Sequence, residues 1–320
     1  MPSIRRTLLL IAALAAAGLA QAQSWPAKPI RWIVPYPPGG STDIATRPIA
    51  DRVGQGLGGH SAIVENRAGA GGNIGIEAAS KAAPDGYTLL VAPDAIASNP
   101  HLYKIAWDPF RDFVPVIQLS RQPVILAVHP SLGVASVAEF VALAKAKPGI
   151  PYATSGAGSQ QHMAAEWFAK VAGIQLTHVP YRGGGQAIAD LVGGQIQAGS
   201  LGSSPLIPHY RAGKLKLLAQ TTKTRAPTLA EIPTYQEAGV KDLVIEQWLG
   251  VFAPAGTPAE IVERLAAEIG KALADATIAE RYAKVALEPV GGSSKDFAAL
   301  LRTDYDKYAR LIKELNIRLN

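Results

Sequence analysis

Short apolar, β-branched runs end one after another in loops of glycine, serine and threonine, and each loop leads into an amphipathic stretch. The runs are Ile30–Pro35, Ala62–Glu65, Tyr87–Ala92, Val124–His129, Tyr152–Ala153, Leu176–Pro180, Gln195–Ala198, Leu215–Gln220 and Val244–Phe252. Helical periodicity falls between them, at Thr42–Val53, Ile74–Ala82, Val137–Ala146, Gln160–Val171, Ala187–Val192 and Pro205–Tyr210. This alternation predicts an α/β fold with mainly parallel sheets. At about 150 residues per domain, a chain of 320 residues suggests two domains.

The last third reads differently. In "GTPAEIVERLAAEIGKALAD" Thr257 is the expected N-cap and Pro258 the first helical residue. Helices over 278–286 and 295–315 follow, and no strand is expected after Phe252. The segment reads as a helical wrap around the α/β body, not as a third domain.

Residues 1–22 have the form of a secretory leader: Arg5 and Arg6, an apolar run from Leu8 to Ala20, and a small-residue cleavage pattern ending at Ala22. The formal charge of +6 falls to +4 without that leader, which carries two arginines and no acid. The basic residues are scattered, which argues against nucleic acid as a partner and favours small anions. There is no cysteine, so neither disulfides nor thiolate chemistry is available.

Ligands of open α/β sheets bind beyond the carboxyl ends of the strands. Five expected strands end in related loops there: "PYPPGGSTD" (35–43), "PDAIASNP" (93–100), "TSGAGSQQH" (154–162), "YRGGGQA" (181–187) and "GSLGSSP" (199–205). Glycine lets the backbone approach a ligand, and the helix that follows offers unpaired N–H groups and the positive end of its dipole. Such turns suit an anion, with carboxylate the usual small one. The first and third loops fall in different halves of the chain, so two lobes would each bring one to a shared cleft.

These stretches, together with "VENRAGAGGNIGIEAASKAAPDGYTLL", "VPYRGGGQAIADLVGGQI", "IPTYQEAG" and "WLGVFAPAGTPAEIVERL", resemble the Bug (TctC-like) family along essentially the whole mature chain. The resemblance implies a periplasmic solute-binding protein of a tripartite tricarboxylate transporter, with no catalytic activity and no cofactor. It further implies a type II-like, two-lobed fold with hinge strands and delivery of a small carboxylate to a membrane permease by a monomer. The lobes would comprise 23–120 with 247–320, and 121–246. Carried over, Tyr36, Gly39, Gly40, Ser41, Thr154, Ser155, Gly156 and Ser159 would contact the carboxylate, while Asp94, Ala95 and Ser200 would choose among ligands. Arg182 stands where many members carry lysine, as either a pocket cation or a surface residue. "QAGSLGSS" (197–204) lacks the acid and aromatic common in the family, which would disfavour a cationic ammonium at the ligand's far end.

Other readings compete with this one. Gly69, Gly71 and Gly75, with Asp94 closing the next strand, give a loose dinucleotide-binding spacing for an exported or mislocated enzyme. No G-x-S-x-G elbow supports a serine hydrolase. His162 is expected to play a capping and surface role, and the dispersed histidines offer no metal site. Trp107, Trp167 and Trp248 are expected in the core, with Trp248 next to the hinge.

Overall fold

The computed structural model describes residues 25–319; the leader read at 1–22 lies outside the described residues. The first strands and helices are β1 (Ile30–Val34), α1 (Ser41–Gly56), β2 (Ala62–Asn66), α2 (Asn73–Ser80), β3 (Thr88–Pro93) and the short α3 (Ala95–Ser98). β4 (Phe113–Val128) then leads to α4 (Val137–Ala146), β5 (Ile150–Thr154), α5 (Gln160–Ala172), β6 (Leu176–Pro180), α6 (Gly184–Val192), β7 (Ala198–Gly202), α7 (Ser203–Arg211) and β8 (Lys216–Gln220). The chain ends with β9 (Glu246–Pro254), α8 (Ala259–Leu273), α9 (Ala276–Ala283), β10 (Glu288–Gly291) and α10 (Ser294–Glu314).

The strands follow the order β2-β1-β3-β9-β4-β7-β5-β6, with β8 and β10 also paired to β4. β4 belongs to two sheets. Its first part, to Pro123, pairs with β9; from Val124 it pairs with β7 and β8. Pairing is parallel among β1, β2 and β3 and among β5, β6 and β7, but every pairing of β4 or β9 is antiparallel. The sheets are therefore mixed rather than mainly parallel.

Amphipathic helices cover both faces. α1, α8 and α9 bury Ile49, Leu265, Ile269 and Tyr282 against Trp32, Leu89 and Val251 of the first sheet. α6 and α7 bury Ile188, Leu191 and Leu206 against Ile125 and Leu201 of the second. A third apolar cluster runs from Leu90 and Phe252 through Tyr308 to Phe168, joining the two sheets on one side. Among the described residues no helix is long and apolar enough to cross a membrane.

Three further sequence expectations change. β4 starts well before Val124, because Pro115 and Pro123 read as breaks; Pro115 lies at a register shift, and Pro123 stands where the strand leaves the first sheet for the second. β10 exists beyond Phe252, although "EPVG" has little strand character; it pairs only with β4, and an edge position tolerates Pro289. Thr257 is not the cap of α8: its hydroxyl donates to Pro254 O at 2.7 Å, and Pro258 occupies the cap position.

Candidate functional site

The loop between β1 and α1 is fixed from several sides. Asn66 Nδ2 donates to Tyr36 O and to Asp43 Oδ1, both at 3.0 Å, and Gly39 N donates to Asp43 Oδ2 at 3.1 Å. Burial works to raise the Asp43 carboxyl, but hydrogen bonds from Arg47, Asn66 and Gly39 outweigh it and hold the group below the usual carboxylate range. An ionised Asp43 thus pins the prolines and glycines that precede it.

This loop meets the start of α6. A Cβ on Gly183 would lie 2.5 Å from Pro37 Cδ, and one on Gly185 would lie 2.7 Å from Pro38 O, so only glycine permits the contact. Between the two segments is a narrow cleft of about 20 Å³, room for about one water molecule. α1 contributes Gly40, Ser41 and Thr42, α6 contributes Gly184, and the β7–α7 turn contributes Leu201, Gly202 and Pro205. Ser155 comes from the β5–α5 loop and Gln161 from the first turn of α5, Tyr36 from the loop after β1, Pro93 from the end of β3, and Gln247 from β9.

Four helices therefore begin at one cleft. Three of them, α1, α6 and α7, have glycine at the N-cap and no capping side chain, at Gly40, Gly183 and Gly202. Their first-turn N–H groups have no intrahelical acceptor, and each helix adds its positive dipole end. Among the described residues none that lines the cleft carries a formal charge. Such an arrangement favours an anion held by donors and dipoles rather than by a countercharge.

The residues singled out in the sequence divide into four groups. Tyr36, Gly40, Ser41 and Ser155 line the cleft. Gly39, Thr154, Ser159 and Ser200 build its walls instead: Gly39 N bonds Asp43, Thr154 Oγ1 donates to Gly156 O, and Ser159 Oγ donates to Gly156 O at 2.8 Å while accepting His162 N–H as the cap of α5. Ser200 Oγ donates to Gln161 O at 2.7 Å. Gly156 and the exposed Arg182 lie on a separate, wider cavity of about 830 Å³ that also reaches Tyr103, Tyr181 and Arg318.

Asp94 and Ala95 lie behind the cleft, both buried. Among the described residues neither oxygen of Asp94 has a hydrogen-bond partner. Burial first, and the nearby Asp304 second, push its carboxyl up to about 8. Asp304 is better served: Trp248 Nε1 donates to its Oδ2 at 2.6 Å, Tyr308 donates to the same atom at 3.0 Å, and Lys307 pairs with Oδ1 at 2.6 Å. Gln160 links this group to the start of α5, donating to Glu246 O at 2.7 Å and bonding Tyr308 Oη.

His162 is not on the surface. It is buried, accepts Gly158 N–H on Nδ1 at 3.1 Å, and stacks on His178 with centroids 3.7 Å apart. Burial and the neighbouring His178 push His162 down to about 3, and burial pushes His178 down to about 4. The glycines of the dinucleotide-like spacing serve packing: a Cβ on Gly71 would lie 2.6 Å from Tyr103 Oη, and one on Gly75 would lie 2.7 Å from Pro35 Cα.

Sequence reasoning passed over Thr42, Gln161, Gly184, Gly202, Gln247 and, next to them, Gln122. Thr42, Gln161, Gly184 and Gly202 lie within loops expected to face a ligand. Gln122 and Gln247 carry no local signal, because the pairing of β4 with β9 is what brings them to the cleft.

The tripartite tricarboxylate transporter family receptor profile (TctC) matches residues 45–317. BugT of Bordetella pertussis is 34% identical over 314 residues, covering 96% of each chain. A solved structure described as a periplasmic transporter superposes with TM-score 0.89 at 36% identity, covering 93% of this chain and all of the other. An R. palustris protein solved with adipate gives 0.89 at 33% identity, over 92% of this chain and 99% of its own. MatC from Rhodopseudomonas palustris with bound malate gives 0.83 at 28% identity, over 90% of this chain and 100% of its own.

Proposed function

Since this chain belongs to the tripartite tricarboxylate transporter receptor family, periplasmic binding proteins and not enzymes, we propose that it captures a small organic carboxylate in the cleft between its two sheets and delivers it to membrane permease subunits. The observation that carries this reading is the uncharged cleft at which α1, α5, α6 and α7 all begin. Donors from α1 sit on the side of the first sheet, and those from α5, α6 and α7 on the side of the second. Related structures hold adipate and malate, ligands of this chemical class.

The lobes of this reading are 23–120 with 247–320, and 121–246, and residues 1–22 are its export leader. A cleft of about 20 Å³ is too small for a dicarboxylate, so the ligand enters with the lobes apart. The lobes turn about β4 at Pro123–Val124 and about the chain at Ile245–Glu246, where β9 begins. A carboxylate that reaches donors on both sides favours the closed arrangement, and the permease recognises that shape.

The test is a thermal-shift panel of mono-, di- and tricarboxylates, aromatic acids, acidic amino acids and neutral sugars, with isothermal titration of each hit. A ligand that binds only the native state raises the melting temperature by mass action. Selective stabilisation by a carboxylate is expected. A response to sugars with none to any acid would overturn the assignment.

A further inference from the structure

We propose that Gln247 is a specificity-determining ligand contact: a hydrogen-bond relay turns its amide nitrogen into the cleft, so the ligand group that meets it must be an acceptor. The inference rests on the carboxylate reading above and deepens it.

The two ends of a glutamine amide look alike, and only the hydrogen-bond network distinguishes them. Here an unambiguous donor starts the network. Ser204 N–H, in the first turn of α7, lies 3.1 Å from one amide atom of Gln122. A backbone N–H only donates, so that atom is Oε1. The other is then Nε2, which lies 2.8 Å from the side chain of Gln247, so Gln247 must accept through its oxygen. Its Nε2, with two hydrogens, is left over. Gln247 is buried yet lines the cleft, and among the described residues its Nε2 has no hydrogen-bond partner.

Strand register holds the relay in place, because Gln122 of β4 and Gln247 of β9 are direct cross-strand partners. Gly202 completes it. A Cβ there would stand 2.7 Å from Gln122 Nε2, Gln247 Oε1 and Ser41 Oγ, so the absence of a side chain brings these groups together. The acceptor oxygens of both glutamines are already engaged. What this corner offers is donors: the Gln247 amide and the first-turn N–H groups of α1. A carboxylate, carbonyl or hydroxyl oxygen fits there, and an ammonium group does not. Gln122 is outside the lining and acts as a positioning residue.

The experiment titrates succinate, malate, adipate and aspartate into protein expressed from the full chain, as wild type, Gln247→Met, Gln247→Glu and Gln122→Glu. Malate and aspartate share a skeleton and differ by a hydroxyl against an ammonium. Gln247→Met is expected to weaken the tightest-binding acid roughly 10–100-fold, the scale of a lost hydrogen bond to a charged group. Gln247→Glu should weaken it further and move the malate-to-aspartate ratio towards aspartate. Gln122→Glu still accepts from Ser204 N–H but has no hydrogen for Gln247, so the Gln247 amide must turn over. The same change of ratio is then expected with Gln247 itself intact, and this variant serves if a Gln247 replacement fails to fold. A merely structural pair would leave the ratio unmoved. Wild-type affinities and ratio in all variants would overturn the inference while leaving the carboxylate function standing. If the wild type bound none of these acids and no other carboxylate in the panel, both would fall.

Discussion

Replacing Asp94 with asparagine should remove a measurable pH dependence of stability. The residue is 1% exposed, its carboxyl has no hydrogen-bond partner among the described residues, and burial and Asp304 hold it up to about 8. Lys307 on α10 and the N–H of Gln160 on α5 oppose that rise without cancelling it, and Tyr36 and Tyr308 complete its surroundings. A carboxyl whose folded pKa stands above its unfolded value contributes most below the unfolded value and loses that contribution as pH rises through the folded one. For Asp94 the window runs from 3.8 to about 8. Between pH 6.5 and 8 the loss should be about 2 kcal/mol, at about 1.4 kcal/mol per pH unit. For a chain of this size that corresponds to a fall in melting temperature of about 4 °C. Calorimetry at constant ionic strength across those pH values should find stability changing less favourably with pH in the wild type than in Asp94→Asn, by that amount. An equal slope in both proteins would refute the reasoning, because it would place the titrating group elsewhere.

Three further expectations follow from the site. Ser155 lines the cleft and its only hydrogen bond among the described residues is from its backbone N–H to Gln161 Oε1, so Ser155→Ala should weaken carboxylate binding by roughly 1–2 kcal/mol in titration calorimetry and leave the melting temperature nearly unchanged. Ser159→Ala should do the reverse, costing about 1 kcal/mol of stability through the lost cap of α5, seen as a lower denaturant midpoint. His162 and His178 have depressed folded pKa values, so their contribution is present above pH 6.5 and lost as pH falls towards 4 and then 3. NMR titration should find both imidazoles neutral at pH 5; an imidazolium at either position at pH 6 would contradict the stacked, buried pair.

Much of this architecture could be read from the chain because local physics and tertiary structure agree along most of it. Val137–Ala146 and Leu176–Pro180 occupy the spans their patterns indicate. Agreement failed where long-range pairing overrode local propensity. β7 reads "AGSLG", with almost no strand-forming residues, and is a strand because it lies fully buried between β4 and β5. β10 and the front of β4 were hidden by prolines that bulges and edges accommodate. At the site, the glycine-rich turns were visible because a helix start after a strand is a local event. Ser159 and Ser200 stood in the right loops, yet their hydroxyls are consumed inside the protein. The glutamines were invisible for the opposite reason: Gln122 and Gln247 meet only when β4 and β9 pair.

That pairing also sets an order of assembly. The second sheet draws its strands from one uninterrupted stretch, Val124–Gln220, and can form as soon as that stretch has been synthesised. The first sheet cannot, because β9 lies between β3 and β4 and is the last of these to emerge. Until it arrives, the N-terminal strands have no central neighbour, and closing the sheet requires a long-range contact of the kind that slows folding. A nascent chain released at Ile245 would retain a sheet from β4 to β8 and expose the edges of β3 and β4 as unpaired templates. Completion of the fold therefore waits for the end of synthesis, a delay that suits a polypeptide of a periplasmic family, which must be threaded across a membrane before it becomes compact.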